Sequence, residues 1–310
     1  MADTSGIAAP GLWNIAMINA GLVGFLIIFI LGVTTRAVVG FLALKPTSRW
    51  ISGIALVLLN VGTGWYVLAR YRGESDETTA IGLLLQAVGF VAFVIAIRVF
   101  ERPTKKNTYI EGTYGRYEWF IRAAFVWLLV AAALIVLDAI GMLSDDRILK
   151  APLSAPITHV FTLGFVTMII MGVGLRMLTL FEGTEAPMHW LMDVAFVALN
   201  VSVLLRVVFG FGSLAGAGQL QGLSGGLGLL ALVAFGIVLR RSFSAKQRAS
   251  YARRAAAAGM ERFAQVRVAR SKPGTPLGMT LNAGPTSSGP ASDSSETTSS
   301  SASDDTPSAS

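Results

Sequence analysis

Seven apolar runs, each long enough to cross a bilayer as a helix, constrain this 310-residue chain more than any other feature. A helix needs about 20 apolar residues to span the hydrocarbon core. Hydrophobic residues make up 53% of the chain and charged residues only 14%, whereas about a quarter of a soluble domain is charged. The sequence therefore predicts an all-α, polytopic protein embedded in the lipid bilayer. The predicted spans are 12–42, 49–70, 79–100, 117–141, 155–181, 189–211 and 221–242.

Basic residues predict how these spans are oriented. Residues 240–272 contain ten Lys or Arg and a single acid, Glu261, and basic segments beside a span stay on the cytoplasmic side. Seven spans then place the short N-terminal segment 1–11 outside a plasma (inner) membrane. The basic segment 243–272 is expected either to lie on anionic lipid headgroups or to act only as a topology anchor. The Ser- and Thr-rich tail, 273–310, is predicted to be disordered.

An internal repeat relates the first three spans to the last three. Repeat A (12–100) and repeat B (155–242) align at a shift of 140 residues, with two more residues inserted before the third span. Span one maps onto span five, an even step, so the two copies should run in the same direction about a pseudo-two-fold axis near the membrane normal. The linking span 117–141 has no counterpart, as if a four-helix unit had lost the leading helix of its first copy. The matched pairs include Gly24 and Gly164, Phe25 and Phe165, Gly32 and Gly172, Arg36 and Arg176, and Asn60 and Asn200.

Two of these pairs are polar residues inside predicted spans. Asn60 and Asn200 lie in mid-span, where an amide in lipid needs a partner, so both should face inward and bond across helices. Arg36 and Arg176 lie near the cytoplasmic ends of their spans. Each arginine either extends to the interface or clamps an anion such as a carboxylate, a phosphate or a heme propionate.

His159, one of only two histidines in the chain, opens the fifth span where repeat A has Asn19. Its ring either bonds a neighbour or headgroup, or serves as a ligand. A ligand site would need a second donor, and topology places Met17, Asn19, Thr162 and Asp138 nearest. The chain has no cysteine, which excludes thiolate ligands and iron–sulfur clusters. A functional His159 therefore predicts a cavity beside it that opens toward the outer face.

The stretch "HVFTLGFVTMIIMGVGLRML", which begins at His159, resembles the histidine-led signature of the NnrS family. The resemblance implies a bacterial membrane protein that binds heme or copper and acts in denitrification, nitric oxide tolerance or respiratory physiology. It marks this chain as a short, histidine-poor member. The implied ligand is His159, with Asn19 and Met17 beside it. The matching residues are His159, Gly164, Thr167, Gly172, Val173 and Arg176.

A function from another class stays open beside this one. The chain could be a non-metal membrane subunit that works beside a partner subunit, or a carrier of small solutes. In a carrier, Arg36, Arg176, Asn60 and Asn200 would line a path at the interface between the repeats. The chain has no nucleophile–base motif of the H-E-x-x-H or G-x-S-x-G type, so enzymatic activity is not expected. No nucleic-acid partner is expected either.

Overall fold

A computed structural model describes residues 11–102, 116–144, 153–182, 188–210, 218–242 and Met260. Most of these residues are helical and none of them forms a strand, and seven helices are long and apolar enough to cross a membrane, which confirms the predicted fold class. The segment 1–10, the tail 273–310 and all of the basic segment 243–272 except Met260 lie outside the described residues. The spans are α1 (Asn14–Phe41), α2 (Arg49–Arg72), α3 (Asp76–Ile97), α4 (Arg116–Leu143), α5 (Ser154–Leu178), α6 (His189–Gly210) and α7 (Gly218–Ser242).

The bounds of α3 differ from the prediction by three residues at each end, for reasons that involve its caps. Ser75 begins the helix early, because its side-chain oxygen accepts a hydrogen bond from the Thr78 backbone N–H at 3.3 Å, a favourable N-cap. Arg98 ends the helix, because it adopts a left-handed backbone with φ of 57°. Few residues other than glycine take this conformation inside a helix. The apolar pattern of the sequence continues past Arg98, so the prediction from that pattern placed the end of the helix too late.

The helices α1 and α5 run in the same direction, as the repeat predicts. Asn19 and His159, each near the start of its span, border the same cavity. At the opposite end, the Tyr117 hydroxyl donates to the Phe41 carbonyl at the end of α1, at 3.1 Å. The ring of Tyr117 also faces the Arg176 guanidinium near the end of α5, at 5.0 Å. The starts of α1 and α5 therefore meet at one end of the bundle and their ends meet at the other.

Both repeats contain a π-helical segment at the same position. These segments are Ala20–Ile27 in α1 and Val160–Thr167 in α5, so they too are related by the 140-residue shift. In α1 the Ile28 N–H donates to the Val23 carbonyl five residues back. Segments of π-helix are rare and occur frequently at functional sites. Because both copies carry the distortion directly after Asn19 or His159, it is a property of the repeat unit.

The linking helix α4 packs against α3 and α5 in the interior of the bundle. Its aromatic residues pair with rings of repeat B in edge-to-face contacts. Phe125 lies 5.8 Å from Phe165, and Phe120 lies 5.1 Å from Phe196, between ring centroids. Such pairs contribute beyond the area they bury. The single copy of α4 thus covers one face of repeat B.

Glycines allow α2 and α3 to pack in close contact next to Tyr66 of α2 and Gln86 of α3. A Cβ added at Gly82 would lie 2.7 Å from the backbone nitrogen of Tyr66, and one at Gly62 would lie 2.8 Å from that of Gln86. Small residues permit such close approach of membrane helices. Tyr66 and Gln86 are therefore fixed in position beside the cavity end of the bundle.

Candidate functional site

A cavity of about 300 Å³ lies at the end of the bundle where α1 and α5 begin. Its lining comes from both repeats and from α4, and it includes side chains of both π-helical segments. The wall is mostly apolar with a few polar groups, which is the usual character of a small-molecule site. The cavity that the sequence predicts beside His159 is present. The polar residues around it are Asn19, Tyr66, Asp138, Ser154, Thr158 and His159.

Two hydrogen bonds fix the imidazole of His159 at this wall. Its Nδ1 lies 2.7 Å from the Ala155 carbonyl oxygen, and its Nε2 lies 2.8 Å from Nη1 of Arg206. A carbonyl only accepts and a guanidinium only donates. The proton therefore sits on Nδ1, and Nε2 accepts from Arg206, which assigns the neutral ring and one tautomer. The ring is held by its own helix on one side and by α6 on the other.

Arg206 connects this histidine to the last helix of repeat B. Its Nε donates to the hydroxyl of Ser224 at 2.6 Å. The Ser202 hydroxyl in turn donates to the Ser224 carbonyl at 2.7 Å. These contacts join α5, α6 and α7 through partly buried His159 and Arg206 and fully buried Ser202 and Ser224, and such networks specify one arrangement when their members are satisfied. The sequence analysis did not identify Arg206 as a neighbour of His159.

Asn19, the repeat mate of His159, is held by a different helix of its own repeat. Gln86 of α3 donates from Nε2 to Asn19 Oδ1 at 3.2 Å. Gln86 is fully buried, and its Oε1 has no hydrogen-bond partner among the described residues. An unpaired buried acceptor costs free energy. The two mates thus occupy matching places in the cavity wall, and different neighbours anchor them.

Two polar residues that line the cavity come from helices other than α1 and α5. They are Asp138 of α4 and Tyr66 of α2. The guanidinium of Arg70 interacts electrostatically with Asp138 and stands 5.9 Å from the centre of the Tyr66 ring. Arg70 also pairs with Asp76 at 3.7 Å. The described side chains that border the cavity include one carboxylate and no Lys or Arg. The cavity is therefore suited to a hydrogen-bond donor or to a small cation more than to an anion.

The residues present do not fit a heme or a copper ion in this arrangement. Nε2 of His159 already accepts from Arg206, so its lone pair is not directed at a metal. The side chain of Met17 is 67% exposed and does not border the cavity. Thr162 bonds the Thr158 carbonyl at 2.9 Å instead of facing the cavity. The part of the chain that the structure describes contains no group of three or more His, Cys, Asp or Glu able to hold a metal. The predicted cofactor set therefore reduces to Asn19, Asp138 and a histidine that is already bonded.

The two mid-span asparagines differ from each other, and the prediction is wrong for one of them. Each Nδ2 donates to the carbonyl four residues earlier, at 2.8 Å, Asn60 to Leu56 and Asn200 to Phe196. Asn200 also accepts from the indole N–H of Trp127 at 3.0 Å, so it bonds across helices as expected. Asn60 lies on the bundle surface. The reason is that α4 covers the asparagine of repeat B only.

Neither arginine of the matched pair borders the cavity. Arg176 is 7% exposed and lies over the Tyr117 ring, a cation–π contact. Arg36 is exposed on the surface of α1. A path lined jointly by Arg36, Arg176, Asn60 and Asn200, as the carrier interpretation required, is therefore not formed by these side chains.

Comparison with known proteins adds no relative. No family model matches the chain, and neither the curated proteins nor the solved structures contain a match. The resemblance to the NnrS family consequently stays a prediction from the residues quoted above.

Proposed function

We propose that this multi-pass membrane protein binds a small polar molecule in the cavity between its two repeats. One observation carries the proposal: Asn19 and His159, equivalent residues of the two repeats, border one cavity together with Asp138 and Tyr66. Cavities between structural repeats are where membrane proteins with parallel or inverted repeats hold their ligands. The π-helical segments beside both residues support the same assignment.

The ligand we propose is neutral or cationic and carries hydrogen-bond donors. Asp138 offers a carboxylate, Asn19 an amide and Tyr66 a phenol, which suit donor groups at several points of a small molecule. The volume of about 300 Å³ is at the lower end of the range for ligand sites. Arg70 offsets part of the charge of Asp138, so preference for a cation should be moderate.

The orientation that we propose places this cavity on the outer side of a plasma membrane. It follows from the basic residues 240–272 and the positive-inside rule, with the segment 243–272 against anionic headgroups. At the other end, the contacts of Tyr117 with Phe41 and Arg176 occupy the space between α1 and α5. The geometry therefore favours binding from one side over passage through the bundle.

The absence of cysteine from the chain allows a direct test with single cysteines. The probes are a cationic and an anionic methanethiosulfonate, MTSET and MTSES, added to protein in lipid vesicles. Asn19→Cys should react with a cation-to-anion rate ratio several-fold above that of Met17→Cys, the exposed control two residues away. Asp138→Asn should remove the difference. An unreactive Asn19→Cys, or equal ratios at both positions, would contradict the proposal.

The role in nitrogen-oxide or respiratory physiology depends on the NnrS resemblance alone and has its own test. Protein purified in detergent from heme-replete cells can be examined for a Soret band and for copper. A band that disappears in His159→Ala would support the family role and would require Arg206 to leave Nε2. Colourless, metal-free protein would leave the small-molecule proposal as the function of the cavity.

A further inference from the structure

The surface of repeat B that α4 covers is built from residues that repeat A also possesses. On α5, a Cβ added at Gly164 would lie 2.9 Å from Trp127, and one at Gly172 would lie 2.8 Å from Ile121. Phe165 packs on Phe125 of α4. Asn200 and Arg176 contact Trp127 and Tyr117 of the same helix. The equivalent residues of repeat A are identical: Gly24, Phe25, Gly32, Arg36 and Asn60.

On repeat A, Phe25, Gly32, Arg36 and Asn60 lie at the surface instead, whereas Gly24 packs against Thr63 of α2. Phe25 is 72% exposed, whereas Phe165 is 0% exposed. A Cβ added at Gly32 would meet nothing within 4 Å, so the notch that receives Ile121 in repeat B is open. Arg36 is exposed, whereas Arg176 is buried. Residue types that bind α4 in repeat B are thus exposed at the equivalent positions of repeat A.

The polar residue on this surface shows that lipid alone is a poor cover. The Nδ2 of Asn60 donates to Leu56, but no described side chain donates to its Oδ1, the atom that Trp127 satisfies in Asn200. An amide oxygen that faces hydrocarbon without a donor is unfavourable. A hydrogen-bond donor from a neighbouring helix would therefore satisfy the Oδ1 of Asn60.

The third helix of each repeat shows the same asymmetry. Ala87 and Phe90 of α3 are buried, and α3 packs on α4. Their counterparts on α7, at a shift of 142, are Leu229 and Leu232, which are 63% and 47% exposed. The faces left open are thus the ones that a second copy of the α4 position would cover.

We infer that the open surface of repeat A, formed by Phe25, Gly32, Arg36 and Asn60, binds a transmembrane helix of a separate partner polypeptide. The seat of α4 on repeat B specifies the chemistry of that helix. By analogy with α4, the partner helix places a bulky aliphatic side chain over Gly32, one aromatic ring beside Phe25 and a second beside Arg36. It also places a hydrogen-bond donor, such as an indole N–H, next to the Oδ1 of Asn60. This inference concerns a surface distinct from the cavity and does not depend on the proposed ligand.

A synthetic peptide with the sequence of α4, residues 116–143, is the probe for this surface, because α4 already fits the identical residues of repeat B. The peptide carries a donor dye, and the full chain carries an acceptor at Ser48→Cys in the loop after α1. In vesicles of neutral lipid, energy transfer should rise to saturation at one peptide per protein. A scrambled peptide of the same composition should give only the background of random encounters.

Substitutions locate the binding site. Gly32→Leu fills the open notch without touching the protein's own packing and should weaken peptide binding about tenfold or more. Asn60→Leu and the peptide variant Trp127→Phe should each weaken it about threefold, and the two together should weaken it no further than either alone. The matched control is the peptide variant Ala133→Leu, which lies on the exposed face of α4 and should leave binding unchanged.

Three outcomes would overturn the inference. The first is no saturable transfer, which would mean that lipid covers the surface. The second is binding that Gly32→Leu and Asn60→Leu leave unchanged. The third is a protein that sediments as a dimer in these lipids and becomes monomeric in Gly32→Leu, since the occupant would then be a second copy of this chain. Saturable binding by a monomer, lost in Gly32→Leu, supports it.

Discussion

The helices of repeat A and repeat B begin at equivalent residues and share their π-helical segments and many residues, yet α4 covers the first helix of repeat B and leaves the first helix of repeat A open. Phe165, Gly172 and Arg176 are interior residues, whereas their identical mates are surface residues. The difference arises from α4, which exists once. It teaches that a residue in a membrane repeat takes its role from the helix opposite it as much as from its own position.

The largest effect concerns the direction of the repeats and is all-or-none. Reporters inserted in the segments 43–48 and 183–187, which follow α1 and α5 in the sequence, should both report the side of a reporter fused after Lys272. A reporter at Met1 should report the opposite side. The physical reason is that an even number of spans separates equivalent positions. Loops that report opposite sides would show an inverted repeat and would break the comparison.

The next effect is a difference in stability between Gly172→Ala and Gly32→Ala. The first places a methyl group 2.8 Å from Ile121 and 3.1 Å from its backbone nitrogen, and such overpacking costs roughly 1–3 kcal/mol. The second enters open space and should leave stability unchanged or slightly higher. Unfolding by SDS in mixed micelles measures both. Equal losses would mean that α1 is also covered in the free protein.

The arginine pair should show a smaller difference. Arg176→Gln removes a largely buried cation from the Tyr117 ring and should destabilise the protein by about 1–2 kcal/mol. Arg36→Gln, on the surface, should have almost no effect on the isolated protein. Thermal unfolding in one detergent compares the two variants. The reverse order, with Arg36→Gln the more damaging, is incompatible with the packing described for α4.

The smallest effect is expected for the asparagines. Asn200→Leu loses the bond from Trp127 and should cost about 0.6 kcal/mol, with about 1.7 as an upper value for membrane helices. Asn60→Leu should be neutral in the absence of a partner helix. Trp127→Phe should reproduce the loss of Asn200→Leu and add little to it, which a double-mutant cycle in SDS unfolding measures. Additive losses would mean that the indole and the amide do not interact.

The spans and the repeat could be predicted from the sequence because apolar length and matched residues carry that information directly. The cavity followed from the same alignment, which places Asn19 and His159 at equivalent depths. The π-helical segments could not be predicted, since their residues fit an α-helix equally well. The bond between His159 and Arg206 was hidden because it depends on the rotation of α6 and because the repeat mate of Arg206 is Tyr66.

Asn60 shows most clearly why the rest was out of reach. Its neighbours in sequence match those of Asn200, so any local pattern assigns the two residues the same environment. Their difference depends on Trp127, 73 residues from Asn200 in sequence, and on a helix that has no second copy. Single-copy elements break the symmetry that a repeat suggests.

Cross-linking between equivalent positions tests the central claim, that the two repeats meet around the cavity, most directly. Ile18 and Thr158, repeat mates that both border the cavity, become Ile18→Cys and Thr158→Cys in one chain. Val57→Cys and Val197→Cys, mates that are 62% and 57% exposed, form the control pair. A short bifunctional methanethiosulfonate should bridge the first pair within one chain and leave the second unbridged, as read from intact mass after proteolysis between α3 and α4. A bridge in the control pair, or none between Ile18→Cys and Thr158→Cys, would contradict the account.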